Sequence, residues 1–134
     1  MPFLDEIAAR LAAAGVGVPG MDIFMSSSAK LPAGPGPYMT LKDTGGTGPT
    51  RIHNQAHAAT QRPTAQITVR ASTYTTARSM AQAAYAVLDG VFNTTLSGVM
   101  YLSITARQEP TDLGLDDMGR SVVVFNIDAE KAPS

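Results

Sequence analysis

The chain contains no cysteine and no tryptophan among its 134 residues. The first absence excludes disulfide scaffolds, thiolate metal sites and cysteine nucleophiles. Charge is scarce as well. Only 16% of residues are Asp, Glu, Lys or Arg, and ten basic against eleven acidic side chains give a formal net charge of −1. That balance excludes a protein whose hold on DNA comes chiefly from phosphate neutralisation, and equally an acidic disordered tail. No run approaches 18 apolar residues, so no membrane-spanning helix is expected. The first fifteen residues place Asp5, Glu6 and Arg10 inside the apolar pattern, unlike a secretory leader. What remains is 44% apolar, a composition suited to one core and one domain over 1–134. Weak self-repulsion favours assembly.

The apolar pattern predicts two helices. Phe3, Leu4, Ile7, Ala8, Leu11 and Ala14 recur at helical spacing, with Asp5 and Glu6 in the first turn and Gly15 as a stop. A second helix starts from an N-cap at Ser72 or Thr73 and runs to about Leu88, burying Ala77, Met80, Ala81, Ala84, Tyr85 and Leu88 before Asp89-Gly90. Strands are expected at Met21–Met25, Tyr38–Leu41, Ala65–Ala71, Val99–Gln108 and Arg120–Ile127. In the third, Ala65, Ile67, Val69 and Ala71 alternate with Gln66, Thr68 and Arg70, the mark of a half-buried strand. In the fourth, Met100, Leu102, Ile104 and Ala106 fall on one face. The expected fold is therefore α+β: a mainly antiparallel sheet of four to five strands with two helices packed on one face.

Residues 43–63, rich in Gly, Thr and Gln, show no apolar period and read as a long flexible loop. A loop of that length in a small domain usually carries binding function. The tail 129–134 is short and polar, and fraying is expected there. In the 109–120 loop, Leu113 and Leu115 are expected to tuck against the sheet while Asp116, Asp117 and Arg120 face outward.

Candidate chemistry is thin. His53 and His57 stand four apart, but a zinc site needs a third ligand, and the intervening Asn54-Gln55-Ala56 is no protease motif. Asp112, Asp116 and Asp117 lack the spacing of a calcium loop; turn capping and pairing with Arg120 is the simpler reading. The Asp43–Pro49 stretch is glycine-rich without the Gly-Lys-Ser/Thr of a phosphate loop. No Gly-x-Ser-x-Gly elbow and no aromatic RNA-binding platform is present. No catalytic residue, metal site or cofactor is expected, and no sequence-specific nucleic-acid contact.

Certain segments in order carry a resemblance: Gln66–Arg70, the helix ending in Val87-Leu-Asp-Gly90, Met100–Ala106, Glu109-Pro-Thr-Asp-Leu-Gly114, Asp116-Asp-Met-Gly-Arg120 and Val122-Val-Val-Phe-Asn126. Together they resemble the minor capsid, or tail terminator, proteins of long-tailed bacteriophages and prophages, with 43–63 the least matched part. The resemblance implies a non-enzymatic protein of the virion tail or neck, made in the host cytoplasm. It implies a homohexameric ring on the tail tube protein that stops tube growth and offers a surface to the head–tail connector protein, with DNA free to pass through. On that reading the assembly interface is expected to draw on Arg51, His53, Asn54, His57, Arg62, Asp112, Asp116, Asp117 and Arg120. Another head–tail neck or completion protein is the alternative, and a small-ligand or metal-binding module a more distant one.

Overall fold

The computed structural model describes residues 3–25, 34, 36–45, 47–51 and 58–131, with 47–51 and 58–60 described by their backbone alone. The elements run α1 (Phe3–Ala13), β1 (Ile23–Met25), β2 (Tyr38–Asp43), β3 (Thr47–Arg51), β4 (Ala58–Arg62), β5 (Thr64–Ala71), α2 (Tyr74–Leu88), β6 (Val91–Leu96), β7 (Val99–Ala106), β8 (Thr111–Leu115) and β9 (Ser121–Lys131). The α+β class and both helices are as expected. The sheet is larger than the four to five strands read from the sequence. Eight strands form it, β3 extends it through β4, and a parallel β1–β2 pair makes an otherwise antiparallel sheet mixed.

β9 is its axis. On one side β9 pairs with β5 from Ser121 to Asp128, and with β4 at Lys131. On the other side β8 takes its first half and β7 its second. The register of β4 on β9 continues that of β5, so 61–71 lies along β9 as one strand interrupted only at Pro63. Opposite it, β2 pairs with β5 and β3 with β4. The expected loop at 43–63 therefore contains the two strands of a long hairpin. Its residues follow no apolar alternation, and antiparallel backbone pairing joins the two strands. The expected fraying does not begin at 129, since β9 continues through Lys131; 132–134 lie outside the described residues.

Packing follows the periodicities. Ala65, Ile67, Val69 and Ala71 of β5 are fully buried, as are Val123, Phe125 and Ile127 of β9. Both helices close over this face in one core. α2 presents Ala77, Met80, Ala81, Ala84 and Leu88, and its small side chains allow a close approach to the sheet. Thr73 caps α2, its hydroxyl accepting from the Thr76 N–H at 3.2 Å. Tyr85 stays partly exposed and meets Phe125 edge-on with ring centroids 5.9 Å apart. α1 buries Phe3, Ile7, Ala8 and Leu11. In β7 the inward residues are Tyr101 and Ile104, whereas Met100 and Leu102 are exposed. A register shift against β9 between Tyr101 and Ser103 reverses the parity that simple alternation assigns.

One glycine is required by space. Gly36 has φ +79°, and a Cβ there would lie 2.7 Å from the Arg70 carbonyl oxygen. It brings the chain into β2 against the end of β5.

The first helix and the last strand are joined by a buried charge pair. Lys131 Nζ donates to Glu6 Oε1 at 2.8 Å, and the Tyr101 hydroxyl donates to the same oxygen at 2.5 Å. All three residues are at most 3% exposed, and Phe3 stacks near Tyr101 at 6.4 Å. Removing one partner of a buried pair leaves an uncompensated charge, which costs about 3–5 kcal/mol. Lys131→Met should therefore lower the unfolding free energy by about that amount in urea titrations, and adding Glu6→Leu should recover most of it. Burial, and then the bond to Glu6, push the Tyr101 phenol well above its ordinary value. Stability tied to its protonated form is whole below about pH 10 and declines as pH rises further. Tyr101→Phe should show a shallower alkaline loss of thermal stability than the parent chain.

Candidate assembly surface

The turn between β8 and β9 is built around one carboxylate. Asp116 Oδ1 accepts from the N–H groups of Met118 and Arg120 at 3.0 and 2.9 Å. Its Oδ2 takes the Arg120 guanidinium at 3.0 Å and lies 3.5 Å from that of Arg70 on β5. Arg120, only 8% exposed, sits over the Tyr38 ring at 5.9 Å from its centroid. Burial alone would raise the Asp116 carboxyl; the two backbone N–H bonds and the Arg120 guanidinium outweigh it and hold the group below the usual carboxylate range. Asp116 and Arg120 thus lock the turn to the sheet, and the outward role expected of them is taken by neighbours. Arg70 and Tyr38 complete the cluster. Sequence alternation marks Arg70 as outward but does not show what it meets.

Around this anchor the surface is apolar and acidic. Leu113, Leu115 and Met118 are 62%, 71% and 56% exposed. The expected tucking of Leu113 and Leu115 does not occur: β8 runs along the first half of β9 with all five of its residues exposed. A bulge between Asp112 and Gly114, closed by Asp112 Oδ1 accepting from the Gly114 N–H at 2.9 Å, turns the strand further out. Asp112, Asp117 and Glu109 are all exposed beside it.

Arg62 stands at the other end of β9, with its guanidinium 3.7 Å from Glu130. It borders an open cleft of about 280 Å³ between β5, β7 and β9, where Arg107 and Asp128 also pair at 2.9 Å. Each cation in the cleft has a carboxylate, so no net charge is left to draw an anionic ligand. Arg51 ends β3. His53, Asn54 and His57 lie outside the described residues. The structure therefore brings Asp112, Asp116, Asp117 and Arg120 together and places Arg62 away from them. Among the described residues no three His, Asp or Glu side chains converge on a common point, and no helix is long and apolar enough to cross a membrane.

The sequence matches a model of bacteriophage tail terminator proteins over residues 10–132. The chain belongs to the bacteriophage tail terminator family. Its role is accordingly structural, in the tail or neck of a phage-type virion, in association with other virion proteins. The fold is shared with a chain of a native gene transfer agent virion, 15% identical, covering 92% of this chain and 84% of the other at a TM-score of 0.57. A second solved chain, 17% identical, covers 98% and 96% at a TM-score of 0.60. No protein of curated function matches significantly in sequence.

In this tail terminator the depressed Asp116 carboxyl supplies stability that is complete above the ordinary carboxylate pKa of about 4 and is lost as pH falls below it. Thermal melts from pH 6 to pH 2.5 should show a steep acid decline that Asp116→Asn flattens, starting from a lower melting temperature at pH 6. Asp117→Asn, at an exposed position, should leave the melting temperature at pH 6 unchanged.

Proposed function

We propose that this tail terminator caps the tail tube as a homohexameric ring, stops tube polymerisation and presents the joining surface for the head connector. Family membership supports the reading most directly, since it covers nearly the whole chain. The surface is consistent with it. Leu113, Leu115 and Met118, at and beside the β8–β9 turn, are exposed apolar side chains outside the core, as elements reserved for partners would be. A ring is built from heterologous contacts, in which one patch meets a different patch on the next subunit. Of the interface residues drawn from the sequence, Arg62, Asp112 and Asp117 have no core duties and are assigned here to contacts between proteins. Asp116 and Arg120 act by shaping the turn. Arg51, His53, Asn54 and His57 are assigned to the hairpin's contacts with the tube or a neighbour.

Deletion of the gene in a producing strain, followed by electron microscopy of the particles, tests this. Free heads beside overlong or irregular tails are expected. Tails of normal length beside unjoined heads would shift the role to another neck protein, and intact infectious particles would remove the protein from assembly.

A further inference from the structure

α2 carries Tyr74, Arg78 and Gln82 at four-residue spacing, which sets them in one row along the helix. The row lies outside the buried stripe of Ala77, Met80, Ala81, Ala84 and Leu88. The Arg78 guanidinium binds three neutral oxygens. Its Nη1 donates to the Tyr74 hydroxyl at 3.3 Å and to the Pro110 carbonyl at 2.8 Å. With the Gln82 amide oxygen turned toward it, Nη2 and Nε donate there at 3.2 and 3.3 Å. The contacts with Tyr74 and Gln82 stay within the helix and hold the guanidinium in one orientation. The third crosses 32 positions of the chain to the residue immediately before β8.

β8 depends on such a tie. All five of its residues are exposed, so none of its side chains anchors it in the core. Its ladder with β9 is interrupted by the bulge between Asp112 and Gly114. Upstream, Arg107 is fixed by its N–H, which donates to the Asn126 carbonyl at 2.8 Å. Downstream, Asp116 holds the turn. Between them stands Pro110, which is buried and has no N–H, so its carbonyl is the one polar group it offers, and Arg78 takes it. β8 is thus clamped at both ends from two layers: by α2 at Pro110, and by β5, through Arg70, at Asp116. A strand with no buried face and an interrupted ladder opens locally at little cost unless such contacts hold it. A bond from a charged donor is among the stronger of its kind.

We infer that Arg78 is a positioning residue for assembly: it holds β8, with its exposed Leu113 and Leu115, in the geometry that meets other virion proteins. The inference rests on the reading above, in which Asp112 and Asp117 of this rim make contacts between proteins. A rim already in place loses little conformational entropy on contact, so loosening it weakens association without altering any contact residue.

Arg78→Ala and Arg78→Lys are compared with the parent chain by melting temperature, by amide hydrogen exchange of the purified protein, and by complementation of the gene deletion, scored as infectious titre and tail length. In Arg78→Ala, exchange within 111–115 should rise by about tenfold or more while the amides of β5 and β7 keep their protection. Infectious titre should fall by about tenfold or more at a nearly unchanged melting temperature. Arg78→Lys keeps one donor for the Pro110 carbonyl and should recover part of both losses. Gln82→Ala, which removes a partner of the guanidinium and leaves its charge, is the second variant and should move both readouts in the direction of Arg78→Ala. Unchanged exchange within 111–115 would overturn the inference. So would faster exchange across the whole chain, which would make Arg78 a residue of the general fold. A loosened β8 with full titre and normal tails would also overturn the positioning role. The capping role would then still stand, because the uncomplemented deletion reports it separately in the same assay.

Discussion

The backbone ladder of β9 is the constraint on which the rest of the structure hangs. This strand of eleven residues is bonded to β5 and β4 along one side and to β8 and β7 along the other. Its inward residues Val123, Phe125, Ile127 and Ala129 form the floor on which α2 rests. Its outward Val122 and Val124 are almost as buried, at 6% exposure each, flanked by Arg70 and Thr68 of β5. A strand buried on both faces reads as a continuous apolar run rather than an alternation, and Val122–Phe125 is such a run. Its register fixes where every other strand ends, and so which side chains are left at the margins.

The Glu6–Lys131–Tyr101 cluster extends that constraint to α1. Glu6 and Lys131 are separated by 125 positions in sequence, so the pair ties the first helix to the last residues of the sheet. Buried ion pairs seldom add net stability over an apolar substitute, because desolvation offsets the attraction. What this pair supplies is position. With Glu6 fully buried, α1 can seat its Phe3, Ile7 and Leu11 stripe only where the carboxylate reaches both the ammonium and the phenol.

The same physics sets what the sequence discloses. α2 and β5 bury one regular face each, and their buried residues agree with the periodicity almost one for one. A strand that buries no face leaves no such trace, and all five residues of β8 are exposed. β3 and β4 are paired segments of Gly, Pro, Thr, Ala and Gln whose sequence shows no apolar period. In β6, Asn93 at φ +46° breaks the alternation between buried Val91 and Leu96. These four account for the difference between five expected strands and nine. At the β8–β9 turn the residue types are legible but their division of labour is not. Asp116 and Asp117 are adjacent and chemically identical, yet only Asp116 turns inward to Arg120 and Arg70. That choice depends on Arg70 arriving from β5, and no local pattern encodes it.

A subunit with a well-filled core has no internal reason to leave Leu113, Leu115 and Met118 in water. Burying a leucine fully is worth about 1.5–3 kcal/mol, and α2 lies on the same sheet without reaching them. The turn that holds Met118 and follows Leu113 and Leu115 is tied by four contacts to Asp116. Rigidity and apolar exposure together are what a preorganised docking element needs, because a fixed turn loses little conformational entropy on contact. The bulge beside it serves the complementary purpose. It denies the edge to indiscriminate strand pairing.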